Sequence, residues 1–380
     1  VIYLDAAATT PVRREVLEAM WPYLSNNFGN PSSHHSLGEQ AAKALADARA
    51  SVATSLNCRA SEIIFTSGGT EADNLALKGI ALATPRGRHI VTTPIEHEAV
   101  LESCEALHRI HNFEITLLNV DPQGLIDLDQ LASVLREDTT LCSIMLANNE
   151  VGTIQPIAEI AKLTRAHTIP LHTDAVQAAG QLPLDVQSLN VDAMSLSGHK
   201  IGAPKGTGIL FLRGRVPLEP VLHGGGQERN RRSGTENVAG AVAFATALQL
   251  ATSEQKDRTA RLTALRDDLI HGILSAVPAA RLTGHPTQRL PGNASFCFPG
   301  TSGESILLEL EQRGILCSSG SACAAGSDAP SHVLVAMGIA PQVAQTAVRF
   351  TLSDSVTPEE IATTVQAVRE SWQAVRSIAS

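Results

Sequence analysis

EIIFTSGGTEADNLALKGIALA, residues 62–83, decides how this chain is read. EIIFTS (62–67) is a short run of β-branched, aromatic and apolar residues, the composition of a buried strand. Two glycines break it, and the rest continues in alanines and leucines as a helix. The same alternation recurs. HIVTTP (89–94) precedes the helical EHEAVLESCEALHRI, and EITLLNV (114–120) precedes a DPQG turn and another helix. LCSIMLAN (141–148) leads toward a helix near 157–167, and IPLHTD (169–174), DAMSLS (192–197) and TGILFLR (207–213) follow. Seven apolar strands separated by helical crossovers imply a mostly parallel sheet covered on both faces. The connection into 207–213 is too short for a crossover, which points to an antiparallel strand there.

Outside this block, Val12, Val16, Leu17 and Met20 recur at helical spacing, and 39–56 also reads as helix. From about residue 256 the texture changes. Leu262, Leu265, Leu269 and Ile273 line one face of a long helix, and ASFCF (294–298) and GILCSS (314–319) are strand-like. The last helix starts at Thr357, with Pro358 in its first turn and Glu360 completing a capping box; Ile361, Val365, Val368, Trp372 and Val375 form its buried stripe. The expected architecture is α/β: a large domain over 13–256, and a smaller α/β domain built from 1–12 and 257–380.

Composition narrows the function. Of 380 residues, 43% are hydrophobic and 18% charged, an ordinary globular balance. A net charge of -9 offers no global attraction for nucleic acid or an anionic membrane, and 3% aromatics leaves few platforms for stacking bases. No apolar run reaches the about 18 residues of a membrane span. The opening VIYLD resembles a strand and not a signal peptide. The six cysteines are scattered, which fits neither a disulfide framework nor a zinc knuckle and suits a reducing cytoplasm. No metal-ligand spacing occurs.

Open α/β sheets bind ligands beyond the carboxyl ends of their strands. Here five such ends carry polar chemistry: Ser67-Gly68-Gly69-Thr70, Glu96-His97, Asn148-Asn149-Glu150, Asp174 with Gln177 one turn on, and Ser197-Gly198-His199-Lys200. One polar end is only a loop; five in one sheet suggest a site. SGGTEADN suits a phosphate, because glycines let the backbone approach and Thr70 can cap the helix; a simple N-cap is the plain alternative. Lys200 can form a Schiff base if its pKa is lowered, and Lys205 competes with it; most lysines are merely solvated. Asp174 can hold a protonated pyridine nitrogen or simply cap the next helix. HGGGQERNRRSGTEN (223–237), with three arginines and Thr235, is a surface loop or a second anion contact. SSGSACAAGS (318–327) puts Cys323 among small residues that cannot anchor a core. Cys104, Cys142, Cys297 and Cys317 read as buried thiols, and Cys58 follows a helix with no assigned role.

Taken in order, these stretches resemble the pyridoxal-phosphate enzymes of the class V aminotransferase group, and within it the cysteine desulfurases of the NifS and IscS type. The resemblance spans the chain: YLDAAATTP (3–11), GNPSSHH (29–35), FTSGGTEADNLALKG (65–79), IEHEAV (95–100), NNEVGTIQP (148–156), HTDAVQAAG (172–180), SGHKIGAPKG (197–206), GGGQERNRRSGTEN (224–237), SSGSAC (318–323) and VRFTLS (348–353). It implies pyridoxal 5'-phosphate bonded to Lys200, which then moves the substrate's Cα proton. Asp174 would face the ring nitrogen, Gln177 the ring hydroxyl and His97 the ring face. Gly69, Thr70, Ser197 and His199 would hold the phosphate, with Thr235 reaching the neighbouring subunit's phosphate in a homodimer. Asn149 and Arg349 would bind the substrate carboxylate, with Asn30 a weaker candidate. Cys323 would attack the sulfur of L-cysteine, releasing L-alanine and keeping a persulfide for an acceptor protein. The loop around it resembles the branch that serves iron–sulfur cluster assembly and tRNA thiolation, through a scaffold and a sulfur carrier. Alternatives are a selenocysteine lyase, a transaminase or lyase of the same fold, which would not need Cys323, and a catalytically silent scaffold, which would not need Lys200, Asp174 and His97. A nucleotide-binding protein lacks its Walker or Rossmann fingerprint here.

Overall fold

The structure, a computed structural model, describes residues 1–83, 85–320 and 329–379. Cys323 lies outside the described residues. The chain begins with β1 (Ile2–Tyr3). Seven strands then form one sheet: β2 (Ile63–Thr66), β3 (His89–Thr92), β4 (Glu114–Leu117), β5 (Thr139–Ser143), β6 (Leu171–Asp174), β7 (Ala193–Ser197) and β8 (Gly208–Leu212). Their order across the sheet is β2-β8-β7-β6-β5-β3-β4. Every neighbouring pair is parallel except those of β8, which runs antiparallel to both β2 and β7. The short connection into β8 dictates this, since no crossover helix fits in it.

Period-two alternation sorts the strand residues between two apolar layers. Ile63, Val91, Cys142 and Phe211 face the layer that includes Val52, Ile160 and Phe244, while Ile64, Ile90, Leu141 and Leu210 face Leu75, Val100 and Leu107. The second layer is closed by the helices Gly69–Ala83 and Glu98–His111. The first is closed by Ser36–Ser55, Ile157–Ala166 and Val238–Ser253. Two-sided burial explains why these strands read as unbroken apolar runs.

The remaining strands are β9 (Arg281–Leu282), β10 (Asn293–Cys297), β11 (Ile315–Leu316) and β12 (Ala347–Thr351). β12, β10 and β9 form an antiparallel sheet, and β11 pairs in parallel with β1. A separate apolar cluster packs Leu262, Leu265, Leu269 and Ile273 of the helix Gln255–Ala276 on Phe296, Phe350, Ile361 and Val368, with Leu4 contributed from the chain's start. The capping box of the last helix is present: Thr357 N–H donates to Glu360 Oε2 at 3.0 Å, and Glu360 N–H to Thr357 Oγ1 at 3.3 Å.

A candidate active site at the strand ends

With β8 reversed, β2, β3, β5, β6 and β7 all end on the same edge of the sheet, and each delivers one of the expected groups. β6 stops on Asp174, whose side chain is almost wholly buried and whose Oδ1 accepts the Val176 N–H at 2.9 Å. Burial pushes this carboxyl up, while His97, the Val176 N–H and Lys200 pull it back toward the ionised form. The result is a buried carboxylate whose charge depends on nearby cations. His97 caps the helix Glu98–His111 through Nδ1, which accepts the Ala99 N–H at 3.0 Å. The backbone ladder of β5 runs on past Ser143, with Ile144 N–H donating to His172 and Leu146 N–H to Asp174, and so carries Asn148, Asn149 and Glu150 to the same edge.

β7 ends at Ser197 and turns through Gly198–Lys200. The chain's first residues fold over that turn. Thr10 N–H donates to the His199 carbonyl at 2.9 Å, and His199 Nδ1 meets Thr9 Oγ1 at 3.1 Å. Lys200 Nζ donates to the carbonyls of Ala7 at 2.5 Å and Ala8 at 2.8 Å. Gln177 Nε2 reaches the same Ala7 carbonyl at 3.1 Å. These carbonyls hold the amine at the strand ends, a role that YLDAAATTP does not disclose on its face. Burial, with Lys200 and Lys205 nearby, lowers His199 to about 4, so its ring is neutral at neutral pH. Lys205 itself is exposed. Lys200 and Gln177 also line a cavity of about 1060 Å³, together with Arg258, Arg261 and Leu352. Of the groups at the strand ends, His97, Asp174 and Gly69 are not among its lining residues.

The cradle differs in detail from expectation. The helix after β2 begins at Gly69, so Thr70 lies inside its first turn and is not the cap. The Ser67 N–H is instead taken by Glu71 Oε2 at 2.8 Å. A Cβ on Gly69 would stand 2.9 Å from Val176 Cγ2 and 3.4 Å from Ser197 Cβ, so glycine lets the helix start lie close against both. Thr70 is exposed and Ser197 buried. The reading of 223–237 as an anion contact needs correction for its arginines. Arg229 donates to the carbonyls of Ile63 and Ser61, Arg231 to Ser61, and Arg232 pairs with Glu71 at 2.7 Å. Glu228 is buried in a bidentate pair with Arg49. Thr235 remains exposed.

Arg349, on β12, is brought to Asn149 as expected: Nη1 donates to the Asn149 carbonyl at 2.9 Å, and Nη2 to Asp5 Oδ1 at 3.0 Å. Its buried Nε has no partner among the described residues. Asp5 escaped the sequence reading, although it stands in the first motif. Asn30 is exposed in a turn, its Oδ1 accepting Ser32 N–H at 2.9 Å. Two further buried acids stand within the quoted motifs, Glu96 already among the polar strand ends and Asp73 in SGGTEADN. Asp73 sits 3.6 Å from His172 Nε2, and burial together with Asp174 raises it well above its ordinary value. Glu96 accepts Thr93 Oγ1 and Met145 N–H, and burial pushes it up to about 8. Burial thus works against the charged form of both, as it does for Asp174, which His97 and Lys200 draw back toward ionisation. The described cysteines fit their bland reading: burial pushes Cys58 and Cys104 up to about 12 and Cys297 to about 11, and raises Cys142 and Cys317 too. Among the described residues no cluster of His, Cys, Asp and Glu could hold a metal ion.

Pyridoxal phosphate fits these residues. Gly69 brings a helix N-terminus close against Ser197, where the first N–H groups lack intrahelical partners and favour a phosphate. Asp174 offers a buried carboxylate to a protonated ring nitrogen, and Lys200 an amine on the same edge.

Comparison with known proteins agrees with this geometry. The family model for aminotransferase class V matches residues 2–363. The chain is 48% identical to "Cysteine desulfurase IscS" of Methanosarcina thermophila over 378 residues, covering 99% of this chain and 93% of that protein. Among solved structures, a "NIFS-LIKE PROTEIN" superposes with a TM-score of 0.91 at 38% identity, over 97% of this chain and 98% of the other. "SspA in complex with cysteine" superposes with a TM-score of 0.81 at 36% identity, over 93% and 99%. With the strand ends, the cradle and the whole-length similarity in agreement, this chain belongs to the class V aminotransferase family, among its cysteine desulfurases.

Proposed function

We propose that this protein is a pyridoxal-phosphate-dependent cysteine desulfurase that converts L-cysteine to L-alanine and loads the sulfur on Cys323 as a persulfide. The observation that carries the reading is the convergence of Lys200, Asp174, His97 and the Gly69 cradle on one sheet edge, with Arg349 and Asn149 joined beside them. When bound, the cofactor supplies an electron sink for the pair released at the substrate's Cα. Lys200 Nζ takes the Cα proton and later returns one. Asp174 holds the ring nitrogen's proton, Gln177 the ring hydroxyl, and His97 the ring face. Gly69, Thr70, Ser197 and His199 hold the phosphate. Arg349, with its unpartnered Nε, and Asn149 orient the substrate carboxylate, and Asn30 approaches the same group. The Cys323 thiolate then attacks the substrate's sulfur. An S–S bond forms as the Cβ–S bond breaks, and Cβ gains a proton, so that L-cysteine and a thiol become L-alanine and a persulfide with no outside oxidant.

The same reading makes the protein a homodimer in which Thr235 serves the neighbouring subunit's phosphate. Two features support it. Thr235 is exposed, and Leu17, Trp21, Leu24 and Phe28 form an exposed apolar stripe along and just past the helix Arg14–Ser25, with Trp21 67% accessible. The sulfur acceptors are a scaffold and a sulfur-carrier protein of iron–sulfur cluster assembly or tRNA thiolation, in the cytoplasm. No helix among the described residues is long and apolar enough to cross a membrane. The division into 13–256 and 1–12 with 257–380 is part of this reading, supported by two apolar clusters whose buried members each stay within one part, while a third joins Ile95, Met145 and Val151 to Cys297 and Val333. The deciding experiment incubates the holoenzyme with L-cysteine and a reductant and quantifies sulfide and alanine together. Equal yields, lost in Cys323→Ala, are expected. Sulfide that persists in that variant, or a cofactor-loaded protein that forms none, would overturn the reading.

A further inference from the structure

The tight turn Asn148–Gly152 does more than bring Asn149 to the site. Asn148 Oδ1 accepts the N–H groups of Glu150 and Val151, both at 2.9 Å, which closes the turn at Glu150. That side chain is buried, 3% exposed, between two segments far away in sequence. On one side stands Gly320, also buried, where an added Cβ would come within 2.6 Å of Glu150 Oε2. On the other, Ser331 Oγ donates to the same Oε2 at 2.5 Å and at once caps the helix His332–Ala336 by accepting the Leu334 N–H. Two residues before Gly320, Ser318 pairs with Arg349 through both backbone bonds, at 3.3 and 2.7 Å. One residue after Ser331, His332 Nε2 meets the Glu96 carbonyl at 3.1 Å. Burial pushes the Glu150 carboxyl up, and the Ser331 hydroxyl, His332 and Arg349 oppose it.

We propose that Glu150 is a positioning residue for sulfur transfer: a single buried carboxyl that packs against Gly320 and accepts the Ser331 hydroxyl, the described residues before and after the segment that contains Cys323. By sequence, Cys323 follows Gly320 by three residues, a tether of at most about 11 Å. The point from which the thiol is tethered is therefore set by Glu150, from the same turn whose Asn149 carbonyl holds Arg349. One turn of the large sheet thus references both the substrate carboxylate's arginine and the nucleophile's anchor. A side chain at 320 would press on the Glu150 carboxyl, so glycine there lets the carboxyl pack against the backbone.

This inference rests on the Cys323 reading, and the experiment separates the two. Glu150→Ala, Glu150→Gln, Ser331→Ala and Cys323→Ala are compared as holoenzymes. Cofactor absorbance, KM for L-cysteine, kcat, and the alkylation rate of Cys323 by iodoacetamide, mapped by mass spectrometry, are measured. Glu150→Ala is expected to keep the cofactor spectrum and a KM within about twofold, to lower kcat about tenfold to 100-fold, and to change the Cys323 alkylation rate several-fold. Glu150→Gln, which still accepts the Ser331 hydroxyl, should recover most of the loss. A Glu150→Ala holoenzyme with kcat and alkylation rate both within about twofold of wild type overturns the proposal. Should that variant fail to fold, Ser331→Ala decides, since it removes one hydrogen bond and must move both readouts in the same direction. If Cys323→Ala still releases sulfide, the nucleophile reading fails, and the alkylation rate still tests the anchor.

Discussion

SGGTEADN and HGGGQERNRRSGTEN look alike in one respect: each joins glycines to polar residues and invites an anion. The fold uses them in opposite ways. The first opens a helix N-terminus at the strand ends, with Gly69 packed close against Val176 and Ser197. In the second, Arg229 and Arg231 donate to the carbonyls of residues 61 and 63, at the start of β2, and Arg232 grips Glu71, inside the first region. The arginine-rich loop is a buttress for the glycine cradle. The lesson is that a charged, glycine-rich stretch marks a ligand site only when its charges are not already answered by the protein.

That contrast is broken most severely at Glu228. Its carboxylate is buried with Arg49, Nη1 to Oε2 at 2.6 Å and Nη2 to Oε1 at 2.7 Å, and also accepts the Phe65 N–H at 3.2 Å. Removing one partner of a buried pair strands the other. Glu228→Ala should therefore cost about 3–5 kcal/mol of folding stability, read by denaturant or thermal unfolding. Per correctly folded, cofactor-loaded molecule, turnover should stay near wild type. A stable variant with weakened cofactor binding would mean that the buttress is itself part of the site.

Gly69→Val attacks the other region. The new side chain would press on Val176 Cγ2 and Ser197 Cβ and fill the cradle. Cofactor affinity of the apoenzyme, measured by titrating pyridoxal phosphate, should fall about tenfold to 100-fold, or about 1.4–2.7 kcal/mol. Unfolding of the apoenzyme should shift much less than in Glu228→Ala. Unchanged affinity would move the phosphate away from this helix.

The sequence carries the strand ends well, because each is an apolar run cut off by glycine or by a charged group, and local composition reports that directly. Asp174, His97, Lys200 and Gly69 therefore stand where the motifs suggest. What escapes is whatever depends on partners distant in the chain. The arginines of 229–232 look solvated because Ser61, Ile63 and Glu71 are not their neighbours in sequence. Glu150 looks like one more polar strand end because Gly320 and Ser331 are remote. The Ala7 and Ala8 carbonyls on Lys200 leave no trace in residue type at all, since backbone acceptors are common to every residue. The start of the cradle helix, two residues earlier than a Thr70 cap implies, goes with Glu71 taking the Ser67 N–H, a choice that propensity does not fix.

The gentlest test falls on the contact that joins the two regions. Arg232 and Glu71 are partly solvated, so the pair is screened, and Arg232→Ala should cost at most about 1 kcal/mol. Its signature is the pH dependence. Burial works against the Glu71 carboxylate, but Arg232 and Ser67 outweigh it and hold the group below its ordinary value of 4.5. A depressed carboxyl stabilises the fold in full above its unfolded pKa and loses that contribution as pH falls through the lower folded value. The difference between wild type and Arg232→Ala should therefore be largest near neutral pH and close as pH drops below 4.5. Because Glu71 also holds Ser67 at the mouth of the cradle, cofactor affinity should weaken as well, by less than in Gly69→Val. A stability gap that persists unchanged at low pH would show that Arg232 acts by packing, and the link between buttress and cradle would be steric instead of electrostatic.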